Sequence, residues 1–159
     1  MTATTSHRGG AAVGFVTDLG PVEAGAVLYL RLWRNGPDAQ ARVWSDFKAT
    51  LGSNQGRDAL SAFEHLCEVC MRHGRRPLVR HHVNCQCLGA DESCFANFIG
   101  YATDGAREDA LLIATTIVRP DIAPVAVACA QQFGLALRQM TSLQTNATPQ
   151  FNCGPTTIH

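Results

Sequence analysis

The sequence predicts an all-α domain, a compact bundle of five to six short helices with a Cys/His-rich loop between the third and fourth helices. Apolar residues recur at the spacing of amphipathic helices, and glycine, asparagine and proline interrupt the pattern where helices usually end. The chain has 159 residues, of which 46% are hydrophobic and 16% charged. This length suits one domain with its own core, and the composition excludes a largely disordered protein.

The predicted helices span, in order, about 21–33, 37–51, 55–73, 91–104, 106–118 and 121–140. Pro21 and Pro37 suit the first turns of the first two helices, because proline at this position sacrifices no helical hydrogen bond. Gly52 and Gly74 are typical of residues that follow the last turn of a helix, here the second and the third. Short connections between these helices favour antiparallel neighbours.

The last three helices are supported by charge and by apolar spacing. Asp91 is the expected N-cap of the fourth helix. Glu108 and Asp109 suit the start of the fifth helix, where the helix dipole favours negative charge. Residues 110–118 are rich in β-branched side chains, so a buried strand and an α+β fold are the alternative. The sixth helix carries a continuous apolar face.

The predicted domain occupies residues 18–140, between a flexible N-terminal arm at 1–17, with a possible extended piece at 13–17, and a polar C-terminal tail at 141–159. No secretory leader or long apolar run is recognisable, so a cytoplasmic protein without a membrane segment is expected. Seven cysteines in such a reducing compartment do not favour a disulfide framework.

Five cysteines and four histidines crowd into residues 65–94, and this crowding predicts a metal site. The predicted ligands are Cys67, Cys70, His82, Cys85 and Cys87, with His73 as a possible replacement. Residues three apart on a helix share a face, so the first two cysteines could supply half of a tetrahedral zinc site and the following loop the other half. An iron–sulfur cluster is the alternative cofactor. Core packing of the first cysteine pair remains an equally reasonable interpretation.

Redox chemistry without metal is a further possibility for Cys67 and Cys70. The neighbouring Arg72, His73 and Arg75 could lower a thiol pKa there, although the negative end of the helix dipole opposes a thiolate. The two other cysteines need no shared explanation: Cys129 lies on an apolar helical face, and Cys153 lies in the tail.

A basic patch overlaps the Cys/His segment, because residues 69–90 contain no acidic side chain. Its arginines are Arg72, Arg75, Arg76 and Arg80. Such a patch could bind an anion or an acidic partner through bidentate guanidinium contacts. Alternatively, these arginines complement the helix dipole or pair with Asp91 and Glu92.

Together these features predict a cytoplasmic, zinc-binding, non-enzymatic protein with a regulatory or adaptor role, forming homo-oligomers or binding an acidic protein. One alternative is a redox enzyme or a metal-dependent hydrolase with Glu64, Glu68 or Glu92 as general base. The other is a metal- or redox-sensing regulator that binds DNA in a salt-dependent manner. Nucleic acid is not the favoured partner, since the net charge is +0.

Overall fold

The computed structural model describes residues 8–147, and it confirms the mostly helical fold. The helices are α1 (Pro21–Trp33), α2 (Pro37–Leu51), α3 (Ser53–His73), α4 (Ala90–Asp104), α5 (Arg107–Ile117) and α6 (Ala123–Ala147). The strands are β1 (Ala12–Phe15) and β2 (Cys87–Gly89). None of the helices in this described part of the chain is long and apolar enough to cross a membrane.

Residues 110–118 lie mainly in α5, so the alternative strand there is wrong. The β-structure is instead a short antiparallel pair of β1 and β2, in which Phe15 lies opposite Cys87. This pair involves the predicted N-terminal arm and the segment predicted as an irregular loop. Through this strand pair, residues 12–15 pack against the Cys/His segment.

Two predicted helix ends need correction. The N-cap of α4 is Gly89 rather than Asp91, and the backbone N–H of Gly89 donates to the Glu92 carboxylate at 3.1 Å. Asp91 is the second residue of α4, and its carboxylate accepts from Arg76 instead of the helix backbone. At the other end of the domain, α6 continues to Ala147, well into the predicted polar tail. The rest of that tail, with Cys153, lies outside the described residues.

The core is built around aromatic side chains from α1, α2, α3 and α6. Phe63 and Phe133 stack with ring centroids 4.6 Å apart, and Trp33 meets Phe63 edge-on at 5.3 Å. Such contacts add to the stabilisation gained by burying large apolar side chains. Cys129 is buried in the same core, as its apolar helical face predicts. These helices form the framework against which the 74–89 segment folds.

Candidate functional site

A buried ion pair joins α1 to α4 beneath the Cys/His segment. Arg31 is 2% exposed and Glu92 is fully buried, and their Nε and Oε2 atoms lie 2.5 Å apart. A second bond runs from Arg31 Nη2 to Glu92 Oε1 at 3.0 Å. Burial alone would raise the pKa of Glu92, but the hydrogen bonds from Arg31 and Gly89 outweigh it, so this pKa is lowered. The Glu92 carboxyl is therefore ionised at neutral pH.

The same guanidinium holds the backbone of the C-x-C sequence in place. Arg31 Nη1 donates to the carbonyl oxygen of Cys85 at 2.7 Å, and Nη2 donates to that of Cys87 at 2.8 Å. From the other side, the backbone N–H of Val16 donates to the carbonyl oxygen of Gln86 at 2.9 Å. These charge-assisted and backbone bonds fix the direction in which the two cysteine side chains leave the chain.

Cys85 forms a dyad with His81, which lies four residues before it in the irregular segment between α3 and β2. Its sulfur lies 3.5 Å from Nδ1 of the imidazole. On the far side of the ring, Nε2 lies 2.8 Å from the carbonyl oxygen of Gly10. A carbonyl can only accept, so Nε2 carries a proton and Nδ1 faces the thiol. The docked N-terminal arm thus orients the histidine toward the sulfur.

This geometry favours the Cys85 thiolate. The hydrogen bond from His81, supported by the backbone N–H of Cys87, lowers the pKa of the Cys85 thiol. The same contact, together with the bond to Gly10, raises the pKa of His81. A thiolate stabilised by an imidazolium is a more available nucleophile than an isolated thiol. Cys85 is half-buried, so small reagents can approach it.

A shallow pocket of about 250 Å³ adjoins this sulfur. Its walls include apolar side chains of Val16 and Val27 and the polar groups of Arg31, Asn84 and Cys85. The dyad therefore lies at the edge of a cavity large enough for a small molecule or for one side chain of a partner protein.

The other cysteine pair lies in a different chemical environment. Cys67 and Cys70 pack against the hydrophobic core. Burial, followed by the proximity of another thiol, raises the pKa of Cys67 above its ordinary value and that of Cys70 to about 12. The expectation that neighbouring cations lower a thiol pKa at this pair is wrong. Both groups are neutral thiols, which supports the core-packing interpretation.

The cations expected beside that pair have other contacts. Arg72 pairs with Glu68 at 3.0 Å, and Arg75 donates to the carbonyl oxygen of Thr115 at 2.6 Å. His73 Nδ1 lies 3.0 Å from the Arg119 guanidinium. These three residues therefore stabilise the end of α3 and its neighbours.

The remaining predicted ligands do not gather into one site. His82 is exposed, and its Nδ1 accepts a hydrogen bond from the backbone N–H of Asn84 at 3.3 Å. Among residues 8–147, no three histidine, cysteine or acidic side chains are arranged to hold a metal ion. Cys85 and His81 provide two adjacent donors, whereas a zinc site needs at least three protein ligands. The predicted zinc or iron–sulfur ligand set therefore stays a prediction.

The two remaining arginines of the basic patch, Arg76 and Arg80, differ in their hydrogen bonding. Arg76 forms two 2.6 Å hydrogen bonds to Asp91, which also accepts from the backbone N–H of Val79 at 2.7 Å. Within residues 8–147, Arg80 forms a long hydrogen bond of 3.4 Å, from Nη1 to the carbonyl oxygen of Arg31. Its Nε atom is buried without a hydrogen-bond partner in the described structure. Of the four arginines, Arg80 is the one whose bonding capacity is least used.

Of the two residues central to this site, Arg31 was not selected from the sequence, and His81 counted only among the four histidines of residues 65–94. Arg31 interrupts the apolar run VLYLRLW of α1, and a charge inside such a run signals a buried ion pair. His81 lies four residues before Cys85, a separation that carries no recognisable pattern in a loop. Glu92, one of the predicted general bases, is unsuited to that role because Arg31 and Gly89 occupy its carboxylate.

No protein-family model matches the chain, and no curated protein or solved structure matches it either. The contacts around Cys85 are therefore the strongest indication of function.

Proposed function

We propose that this protein is a thiol-based redox regulator whose reactive group is Cys85. The observation that carries the proposal is the 3.5 Å contact between the Cys85 sulfur and His81 Nδ1. The Gly10 carbonyl accepts from Nε2–H of the imidazole, so Nδ1 faces the sulfur and, once it has taken up the thiol proton, donates to the thiolate. Redox-sensing cysteines characteristically combine thiolate character, solvent access and a nearby second thiol.

The proposed first step uses hydrogen peroxide as the oxidant. The Cys85 thiolate attacks one peroxide oxygen, a sulfur–oxygen bond forms, and the oxygen–oxygen bond breaks. The departing hydroxide takes a proton from His81 and leaves as water, so Cys85 becomes a sulfenic acid and the peroxide is reduced by two electrons. His81 thus serves first as the partner of the thiolate and then as the proton donor.

Cys87 is the natural second thiol, because it lies two residues from Cys85 and, after the contact with His81, its groups also lower the pKa of the Cys85 thiol. Its attack on the sulfenic sulfur would form a disulfide and release water. Residues two apart in extended chain place their Cα atoms near the upper limit for an unstrained disulfide. Such a bond is readily reduced, which suits a reversible switch.

The ion pair explains how oxidation could be transmitted. Arg31 binds the carbonyl oxygens of both cysteines, so a change in the path of the C-x-C backbone competes with these two bonds. Loosening them would release residues 85–87 from α1. A regulatory or adaptor role follows if a partner distinguishes the two positions of this segment.

Zinc binding is the second candidate, because Cys85 and His81 already present two donor atoms to each other. Further ligands from Cys87 or His82 would be needed. Metal analysis of protein purified without chelator separates the candidates: zinc near one equivalent that is lost in Cys85→Ser supports the second candidate.

The pH dependence of thiol alkylation tests the proposal. Purified protein is treated with iodoacetamide over a range of pH, and modification at each cysteine is followed by peptide mass spectrometry. Cys94 is the matched control, since its sulfur contacts the hydroxyl of Thr116 at 3.5 Å rather than an imidazole. We expect Cys85 to react at lower pH than Cys94, and His81→Gln to move the Cys85 profile upward.

The proposal is refuted if Cys85 reacts no faster than Cys94 near neutral pH, provided that circular dichroism shows the protein folded. It is equally refuted if His81→Gln leaves the Cys85 profile unchanged.

A further inference from the structure

A second, smaller pocket lies between α1, α3 and the segment that follows α3. Its volume is about 40 Å³, and Leu30, Trp33 and Phe95 form much of its apolar wall. This is about three to four times the space that one ordered water requires. The pocket therefore accepts a group of a few non-hydrogen atoms.

Two arginine residues, Arg34 and Arg80, are among those that line this pocket. No acidic side chain is among the described residues that line it. Burial and then the proximity of Arg34 lower the pKa of Arg80, which indicates that the two cations repel each other. An anion between them would relieve this repulsion.

The buried Nε atom of Arg80 is the independent sign of a missing partner. It has no hydrogen-bond acceptor within the described part of the chain. A buried N–H without an acceptor is costly, and most such groups in folded proteins are satisfied by protein, water or a ligand. Arg80 is also a lining residue of the pocket, which makes an oxyanion bound there the candidate for this acceptor.

We propose that this pocket binds a small organic carboxylate, with its two oxygens on Arg34 and Arg80 and its hydrocarbon part against Trp33. The planar guanidinium fork matches a carboxylate, and the remaining wall suits an apolar tail rather than a fully hydrated inorganic anion. Cys67 and Cys70 also line the pocket, and as neutral thiols they do not repel a negative charge. Cys85 is not part of the lining, so this site does not rest on the redox proposal.

Trp33 provides a direct reporter, because the chain contains only one other tryptophan, Trp44. In a Trp44→Phe background, Trp33 fluorescence is followed while sodium butyrate is added at constant ionic strength. Sodium chloride and sodium phosphate serve as comparison salts. We expect a saturable change with butyrate, and a dissociation constant about tenfold or more higher in Arg80→Gln.

Arg34→Gln gives a second test at an exposed residue where misfolding is not a concern, and Arg107→Gln at the start of α5 is the control. The first should weaken binding and the second should leave it unchanged. A response to chloride equal to that of butyrate, or equal affinity in wild type and both pocket variants, would overturn the proposal. Tighter binding of phosphate than of butyrate would overturn the carboxylate assignment.

Discussion

Replacement of Glu92 by glutamine should destabilise the fold more than any surface substitution. The change removes the negative charge that faces Arg31, while the amide oxygen can still accept from the backbone N–H of Gly89. Because Arg31 is only 2% exposed, its charge would be left in the interior without a counter-charge.

The magnitude follows from this burial. Removing one partner of a buried ion pair costs about 3–5 kcal/mol, because the remaining charge is neither paired nor hydrated. Arg31 would keep its bonds to the carbonyl oxygens of Cys85 and Cys87, so we expect the lower end, about 3 kcal/mol. A single domain has a total stability of about 5–15 kcal/mol, so this loss is readily measured.

Urea unfolding followed by circular dichroism gives the free energy of unfolding of wild type and Glu92→Gln. The matched control is Glu68→Gln, which breaks the exposed pair with Arg72, where the two side chains are 49% and 72% exposed. That pair is expected to contribute less than about 0.5 kcal/mol. A loss below about 1 kcal/mol for Glu92→Gln would refute the conclusion that the pair is charged and desolvated.

Three further predictions concern stability. The pKa values of Asp91 and Glu92 lie below their ordinary values of 3.8 and 4.5. The unfolded chain therefore takes up protons before the folded one on acidification, and Tm should fall as the pH drops below 4.5. This fall should be less steep in Asp91→Asn. In Gly9→Ala the new methyl group would overlap the Asp91 carboxylate and should cost about 1–3 kcal/mol in chemical denaturation, whereas Gly14→Ala, in open space, should be near neutral. Phe63→Ala should cost about 3–5 kcal/mol in the same assay, because it removes a fully buried ring from the core.

The helices could be predicted because each depends on neighbours close in sequence. Pro21 and Pro37 set the starts of α1 and α2, and apolar spacing identified the faces that pack together. The β1–β2 pair escaped prediction because strands of three or four residues are too short to establish an alternating pattern.

The site could be predicted only in outline. Crowding of cysteine and histidine directed attention to residues 65–94, which contain the Cys85–His81 contact, but spacing could not separate thiols by environment. Cys67 and Cys70 have raised pKa values because of tertiary burial, and Cys85 has a lowered one because His81 is held by Gly10, 71 residues away in sequence. Contacts of this kind become visible only in the folded chain.

The order in which the seven cysteines react tests the central claim most directly. Folded, reduced protein is exposed to a small excess of hydrogen peroxide with dimedone, which traps sulfenic acids, and the labelled peptides are quantified by mass spectrometry. The reactive-thiol account predicts that Cys85 is labelled first and that His81→Gln suppresses this labelling. Prior labelling of Cys67 or Cys70, or of Cys85 to an equal extent in His81→Gln, would contradict it.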